Sequence, residues 1–247
     1  MSVRFDRGAV DAIVLDIEGT TTPVDFVTDT LFPYARRHLR SHLAAQRDRP
    51  ALREAIDRLR HEWDDEVARG GTPPPWIDGS DEALAEYVEW LMDRDRKSTG
   101  LKLLQGQIWE GGYRSGELRS EMYGDVMPAL ARWRASHLTL AIFSSGSEHA
   151  QRLLFAHTPH GDLTSYFTRF FDTTVGAKAS PDSYRRIAAA LRCSIARLLF
   201  VSDAVGEIDA ALAAGGAALL CARDGSVEAT RGTIVDIIRS FDQIAIG

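Results

Sequence analysis

The chain predicts an α/β fold, with a Rossmann-like parallel sheet as core, helices on both faces and an inserted α-helical module. Three observations carry this. Short, continuous apolar runs of strand length recur at 12–15, 138–143, 198–201 and 217–221, with a weaker one near 167–171. Runs of this kind mark strands buried on both faces, as in parallel sheets. Helical patterns separate the later runs, as successive βαβ units require. Between the first run and the second lies a long stretch with little strand character and repeated helical spacing.

In chain order, Ala12-Ile13-Val14-Leu15 stops at Asp16-Ile17-Glu18-Gly19-Thr20, so a buried strand presents an acid at its carboxyl end. In open α/β sheets that edge is where ligands bind. Val27, Leu31, Ala35, Leu39 and Leu43 then recur every fourth residue. Leu52, Ile56, Leu59, Trp63 and Val67 follow a four-three-four-four spacing, and Leu84, Val88 and Leu91 continue after Ser80-Asp81. Each series lays an apolar stripe along one helix face. Pro33 is expected to kink or offset the first of these helices, and Thr72-Pro73-Pro74-Pro75 must be a connector. Asp125 and Pro128 mark a fresh start for the segment leading to Trp133. Ser145-Gly146-Ser147 opens a helix after the second strand run. Ser180 as N-cap with Pro181 at the first helical position opens another. A further helix starts near Val205 and stops at Gly215-Gly216. The core is thus assigned to 1–20 and 129–247, and the helical insertion to 21–128. Four of the five tryptophans (Trp63, Trp76, Trp90 and Trp109) fall in the insertion, where packing is their expected role. A lid over the carboxyl edge of the sheet is the functional possibility for this module.

A chain of 247 residues suits one large domain or a core plus a module, and 45% hydrophobic with 26% charged residues argues for a buried core rather than disorder. The net charge of −6, without a Lys/Arg block, argues against a nucleic-acid partner. The longest apolar runs are too short to span a bilayer, so no membrane partner is expected. Met1-Ser2-Val3-Arg4-Phe5-Asp6-Arg7 lacks the basic-then-apolar pattern of a secretory signal. Cys193 and Cys221 are far apart and without metal-ligand spacing, and read as small core residues in a reducing cytoplasm.

Four sites fall at or just beyond strand ends: Asp16 with Glu18; Ser144-Ser145; Lys178 within Val175-Gly176-Ala177-Lys178-Ala179-Ser180-Pro181; and Asp203 with Glu207. Together they match the needs of phosphoryl transfer through an aspartyl-phosphate. A carboxylate nucleophile approaching a phosphate dianion meets strong repulsion where water is excluded. A Mg²⁺ held by Asp16 and by acids from another strand would offset it, with a lysine and a serine hydroxyl orienting the remaining oxygens. The acid two residues after the nucleophile can protonate the leaving oxygen and then deprotonate water. Each residue also has a plainer reading. Glu18 can be a solvated turn acid, Ser145 and Ser147 helix caps, and Lys178 a surface lysine. The ordered set is more specific than any member.

The four sites resemble the four motifs of the haloacid dehalogenase superfamily of phosphohydrolases, with a helical cap inserted between the first two. Within it, the chain is similar to the enolase-phosphatase family of methionine salvage. The similarity is carried by Asp16-Ile17-Glu18-Gly19-Thr20-Thr21-Thr22-Pro23, Leu31-Phe32-Pro33-Tyr34-Ala35, Leu104-Gln105-Gly106-Gln107-Ile108-Trp109, Ser144-Ser145-Gly146-Ser147, Phe171-Asp172-Thr173 and the segment 176–184, and weakens after about Ala222. The superfamily usually carries Asp where this chain has Glu18, and Glu is characteristic of the narrower family. The resemblance implies Asp16 as nucleophile and metal ligand, and Glu18 as acid/base that joins the metal site through its backbone oxygen. It implies Ser144, Ser145 and Lys178 as substrate contacts, Lys178 also stabilising charge, and Asp203 completing a site for one Mg²⁺ per chain. Glu207 would support the metal directly or through water. The implied reaction enolises and then dephosphorylates a five-carbon methylthio diketone phosphate, in a monomer. Glu18 and Lys178 both fit as enolisation base, and the sequence does not choose between them. A capped phosphatase for another small phosphate ester is the alternative. A dehalogenase would not need the acids at 203 and 207, and a non-catalytic binding protein would be expected to lack one of these groups.

Overall fold

A computed structural model describes residues 2–6, 8–223 and 235–246. Met1 and Arg7, part of the N-terminal stretch read above, lie outside the described residues. The strands are β1 (Val3–Phe5), β2 (Ala12–Leu15), β3 (Thr139–Phe143), β4 (Arg169–Phe171), β5 (Leu198–Ser202), β6 (Ala217–Cys221), β7 (Ile237–Ile238) and β8 (Ile244–Ile246). Six of them form one sheet in the order β4-β3-β2-β5-β6-β7, and every pairing in it is parallel. β1 and β8 pair in parallel in a separate two-stranded sheet. The four strong apolar runs and the weaker one became strands; β1, β7 and β8 had no such signal.

The chain divides into two compact units, one of Met1–Val27 with Arg119–Gly247 and one of Thr28–Leu118. The second unit is helical, with α1 (Phe32–Gln46), α2 (Pro50–Ala68), α3 (Asp81–Asp93) and α4 (Thr99–Ser115). Leu39, Leu43, Leu52, Leu59, Val88 and Leu91 are each at most 3% exposed, so the stripes do form a core. Each such burial contributes roughly 2 kcal/mol. Val67 departs from its stripe at 43% exposed, because it lies in the last turn of α2, beyond the packed part of that face. Pro33 does not kink a continuous α-helix. A π-helical turn over Phe26–Leu31 precedes α1, and Pro33 sits at its amino end, where a missing N–H costs nothing. Ser80 and Ser98 cap α3 and α4, accepting from the N–H groups of Ala83 (3.1 Å) and Leu101 (2.9 Å). Gly100 lets α4 approach α2 closely, since a Cβ there would meet the Leu59 backbone nitrogen at 2.8 Å.

In the first unit, α5 (Val126–Ala135), α6 (Glu148–Ala156), α7 (Pro181–Leu191) and α8 (Val205–Ala214) accompany the sheet, which carries helices on both sides. α7 and α8 pack through Tyr184, Ile187, Ile208 and Ala211 onto Val14, Phe143, Leu198, Phe200 and Leu220. Ser147 caps α6, accepting from Ala150 N–H at 3.3 Å. Ser180 stands at the N-cap of α7 but its side chain makes no cap bond, so Pro181 sets that start. No helix among the described residues is long and apolar enough to cross a membrane.

This topology creates the crevice. From β2 the chain runs outward through β3 and β4, then crosses back to place β5 on the other side of β2. The chain progresses outward in opposite directions from β2 and from β5, and such a switch point opens a cleft at the carboxyl ends of the strands.

Candidate active site

Sheet register decides which side chains meet. Leu15 of β2 is level with Ile142 of β3 and Val201 of β5. Asp16 therefore stands level with Phe143 and Ser202, and its N–H donates to the Val201 carbonyl at 3.0 Å. Ser144 and Asp203 lie one residue further along. Three of the four sequence sites reach the same edge because parallel strands share one direction.

Asp16 is buried, 4% exposed, with both carboxylate oxygens engaged. Oδ1 accepts from the Ile17 N–H (2.8 Å) and from Lys178 Nζ (2.6 Å). Oδ2 accepts from Ser202 Oγ (2.8 Å). Ser202 Oγ also lies 2.9 Å from Glu207 Oε2, and the same Glu207 oxygen is 2.8 Å from Lys178 Nζ. Asp16, Lys178, Glu207 and Ser202 thus close a ring.

The electrostatics of the ring follow from its burial. Desolvation of the Lys178 ammonium pushes its pKa down, but Asp16 and Glu207 outweigh this and hold it above the ordinary lysine value. Lys178 is a cation at neutral pH. Glu207 moves the other way for a carboxyl: burial, then repulsion from Asp16, push it up to about 7 against the pull of Lys178. Ser202 has one hydroxyl hydrogen and two carboxyl oxygens within reach. A proton on Glu207 resolves this, because Glu207 can then donate to Ser202 while Ser202 donates to Asp16.

Lys178 is aimed by its own backbone. Tyr184, fully buried on α7, donates its hydroxyl to the Lys178 carbonyl at 2.7 Å, and Ser183 Oγ donates to the Ala177 carbonyl at 2.7 Å. Tyr184 packs edge-on against Phe143 and Phe200, which ties the lysine loop to the core.

The loop after Asp16 is a tight turn. The N–H groups of Thr20, Thr21 and Thr22 all donate to the Ile17 carbonyl, and Gly19 N–H donates to the Thr22 carbonyl. Gly19 takes a φ of +66°, and a Cβ there would collide with the Asp203 carboxylate. Asp203 is therefore packed against the backbone of the Asp16 loop, and only glycine admits it. Glu18 is exposed. Ser144 is buried at 3%; its N–H donates to the Phe171 carbonyl and its Oγ accepts from Gly146 N–H. Ser145 is exposed beside it, just ahead of α6. Among the described residues no group of three or more His, Cys, Asp or Glu side chains is placed to hold a metal ion.

The contacts thus bring Asp16, Lys178 and Glu207 into one ring and set Asp203 against the same loop. Sequence reasoning missed Ser202 and Tyr184. Ser202 had one available signal: it immediately precedes Asp203, so the residue level with Asp16 across β5 had to be its neighbour.

A parallel sheet with a switch point, and acids, serines and a lysine at its carboxyl edge, defines the class. A family model described as a haloacid dehalogenase-like hydrolase matches residues 10–215. A Saccharomyces cerevisiae protein of known crystal structure, UTR4, superposes with a TM-score of 0.75 at 31% identity, covering 94% of this chain and 99% of that one. Enolase-phosphatase E1 of Synechococcus elongatus is 46% identical over 96% of this chain and 98% of its own length. Enolase-phosphatase E1 of Sorangium cellulosum is 47% identical over 95% and 97%. The chain belongs to the haloacid dehalogenase-like hydrolases and, within them, to the enolase-phosphatase family.

Proposed function

We propose that this enzyme is a Mg²⁺-dependent enolase-phosphatase of methionine salvage. It enolises 2,3-diketo-5-methylthiopentyl-1-phosphate and then hydrolyses its phosphate to give the acireductone. The observation that carries the chemistry is the buried ring in which Lys178 Nζ stands 2.6 Å from Asp16 Oδ1 at the switch point of the sheet. The substrate rests on the relatives named enolase-phosphatase E1.

An Asp16 oxygen attacks phosphorus, the bond to the substrate oxygen breaks, and the Glu18 carboxyl gives its proton to that leaving oxygen. Water, deprotonated by the resulting Glu18 carboxylate, then attacks phosphorus; the bond to Asp16 breaks and the carboxylate returns. Lys178 offsets negative charge on the phosphoryl oxygens, and Ser144 and Ser145 hold the phosphate. Enolisation requires a base beside the carbonyl carbon. Lys178 is already held as an ammonium by the Asp16 carboxylate and the Glu207 carboxyl group, which favours Glu18 for this step.

The donor set suits Mg²⁺. Asp16 and Asp203 supply two hard carboxylates next to a loop of backbone oxygens, and this ion commonly takes one or two carboxylates and keeps several waters. Asp16, Asp203 and the Glu18 backbone oxygen would hold one ion per chain. Bound there, the ion would supply Lewis-acid stabilisation of the negative charge that develops in both half-reactions. The helical insertion serves as the cap that the family carries at this point in the chain. The enzyme acts in this reading as a monomer, and in the cytosol, a compartment in keeping with the free thiols Cys193 and Cys221.

The test follows enol absorbance and released phosphate in one cuvette with the diketone phosphate. Both signals are expected, enol first. Efficient hydrolysis of simple phosphate esters with the diketone phosphate left unchanged would refute the reading.

A further inference from the structure

The geometry points to Arg223, braced by Asp125, as a positioning pair that holds the catalytic loop 16–22 in its cation-binding shape. This deepens the function proposed above and rests on it. Arg223 follows β6 and lies outside the four motifs. Its side chain is 5% exposed and that of Asp125 11%, so this is a buried ion pair with Nη1 to Oδ2 at 2.6 Å.

Besides Asp125 and a longer contact from Nη1 to the Arg239 carbonyl (3.4 Å), its donors go to one target. Within the loop 16–22 the Ile17 carbonyl takes three N–H groups and the Thr22 carbonyl takes Gly19, while the Thr20 carbonyl takes none of the loop's own N–H groups. Arg223 supplies that carbonyl with two donors, Nε at 3.0 Å and Nη2 at 2.8 Å. The guanidinium is stacked between Tyr123 and Phe241, its carbon 4.4 Å and 4.6 Å from the two ring centres. Tyr123 itself donates its N–H to the Thr21 carbonyl at 3.1 Å. Asp125 is fixed in turn by Ser240 Oγ (2.9 Å) and Phe241 N–H (2.5 Å). The guanidinium is thus held by hydrogen bonds on Thr20, Asp125 and Arg239 and by two ring contacts, and two of its donors fix the position of Thr20.

That position matters because Thr20 is bonded to Gly19, which has no clearance against the Asp203 carboxylate. A small shift of Thr20 drives Gly19 into Asp203 or away from it, and so moves the two acids of the proposed cation site relative to each other. A planar fork with several donors can grip a carbonyl and a carboxylate at once; an ammonium cannot do so in the same geometry. Arg223 touches no reacting atom, so its action is through the loop.

The test compares the full-length protein with Arg223→Lys and Asp125→Asn. Mg²⁺ binding to the substrate-free protein is measured by titration calorimetry, with amide hydrogen exchange at residues 19–22 and the steady-state kinetics. For Arg223→Lys we expect Mg²⁺ affinity weakened about tenfold or more, as for partners that orient metal ligands. Loop exchange is expected to be faster, and kcat to fall with little change in KM. Asp125→Asn keeps the volume and is expected to act in the same direction; it serves as the folded probe if Arg223→Lys does not fold. Unchanged Mg²⁺ affinity and loop exchange in a folded variant, whatever its melting temperature, would overturn the proposal. The calorimetric and exchange readings involve no substrate. A wild type that binds Mg²⁺ but leaves the diketone phosphate intact would therefore sink the proposed function and not this inference.

Discussion

Lys178 and Asp16 meet at 2.6 Å with their side chains 9% and 5% exposed, an ion pair almost wholly withdrawn from water at the head of the central strand. Replacing Lys178 with Met leaves Asp16 and Glu207 without their shared cation. We expect kcat for phosphate release to fall on the order of 10²–10³-fold, the range seen when one charge-stabilising donor is removed. Steady-state phosphate release measures this, and an unchanged rate would remove Lys178 from the chemistry.

Glu207 predicts a pH dependence of stability in the metal-free protein. Its folded pKa, about 7, lies above the ordinary carboxyl value, so the folded state binds the extra proton between the two. The stabilisation is present below the unfolded pKa and is lost as pH rises through about 7. Glu207→Gln is expected to flatten this part of the profile, read from denaturant midpoints in EDTA between pH 4 and pH 8. A wild-type profile already flat across that window would refute it.

Asp125 predicts the opposite sign in acid. Burial pushes its carboxyl up, but hydrogen bonds from Arg223, Phe241 N–H and Ser240 together hold it below the ordinary range. Its contribution is therefore present above the unfolded pKa and lost as pH falls through the folded one. Asp125→Asn is expected to cost about 3 kcal/mol near neutrality, as for a broken buried pair. The gap to wild type should close in strong acid, and a gap independent of pH would contradict the assignment.

Gly19→Ala tests the fit between the loop and Asp203. The positive φ alone costs an alanine about 1 kcal/mol, and the added methyl displaces the Asp203 carboxylate. Mg²⁺ binding is expected to weaken far more than that stability change, measured by calorimetry against the melting temperature. Equal Mg²⁺ affinity would show that Asp203 tolerates the shift.

Much of this was legible because parallel strands buried on both faces read as unbroken apolar runs. Their ends locate Asp16, Ser144 and Asp203 without any knowledge of contacts. What escaped depends on partners distant in sequence. Ser202 reads as strand, and only register turns its hydroxyl to Asp16 and Glu207. Arg223 reads as an ordinary residue after a strand, and its meaning comes from Thr20 and Asp125. β1, β7 and β8 span two or three residues each, too few to show a period. The π-helical turn before Pro33 is likewise a packing outcome with no local signature.

The central claim is that Asp16 carries the phosphoryl group in passing. Acid-quenching the enzyme during turnover and mapping phosphorylated peptides by mass spectrometry tests it most directly. A hydroxylamine-sensitive phosphoryl group is expected on Asp16 in wild type, with neither adduct nor turnover in Asp16→Asn. Rapid phosphate release by that variant, or an adduct on any other residue, would contradict it.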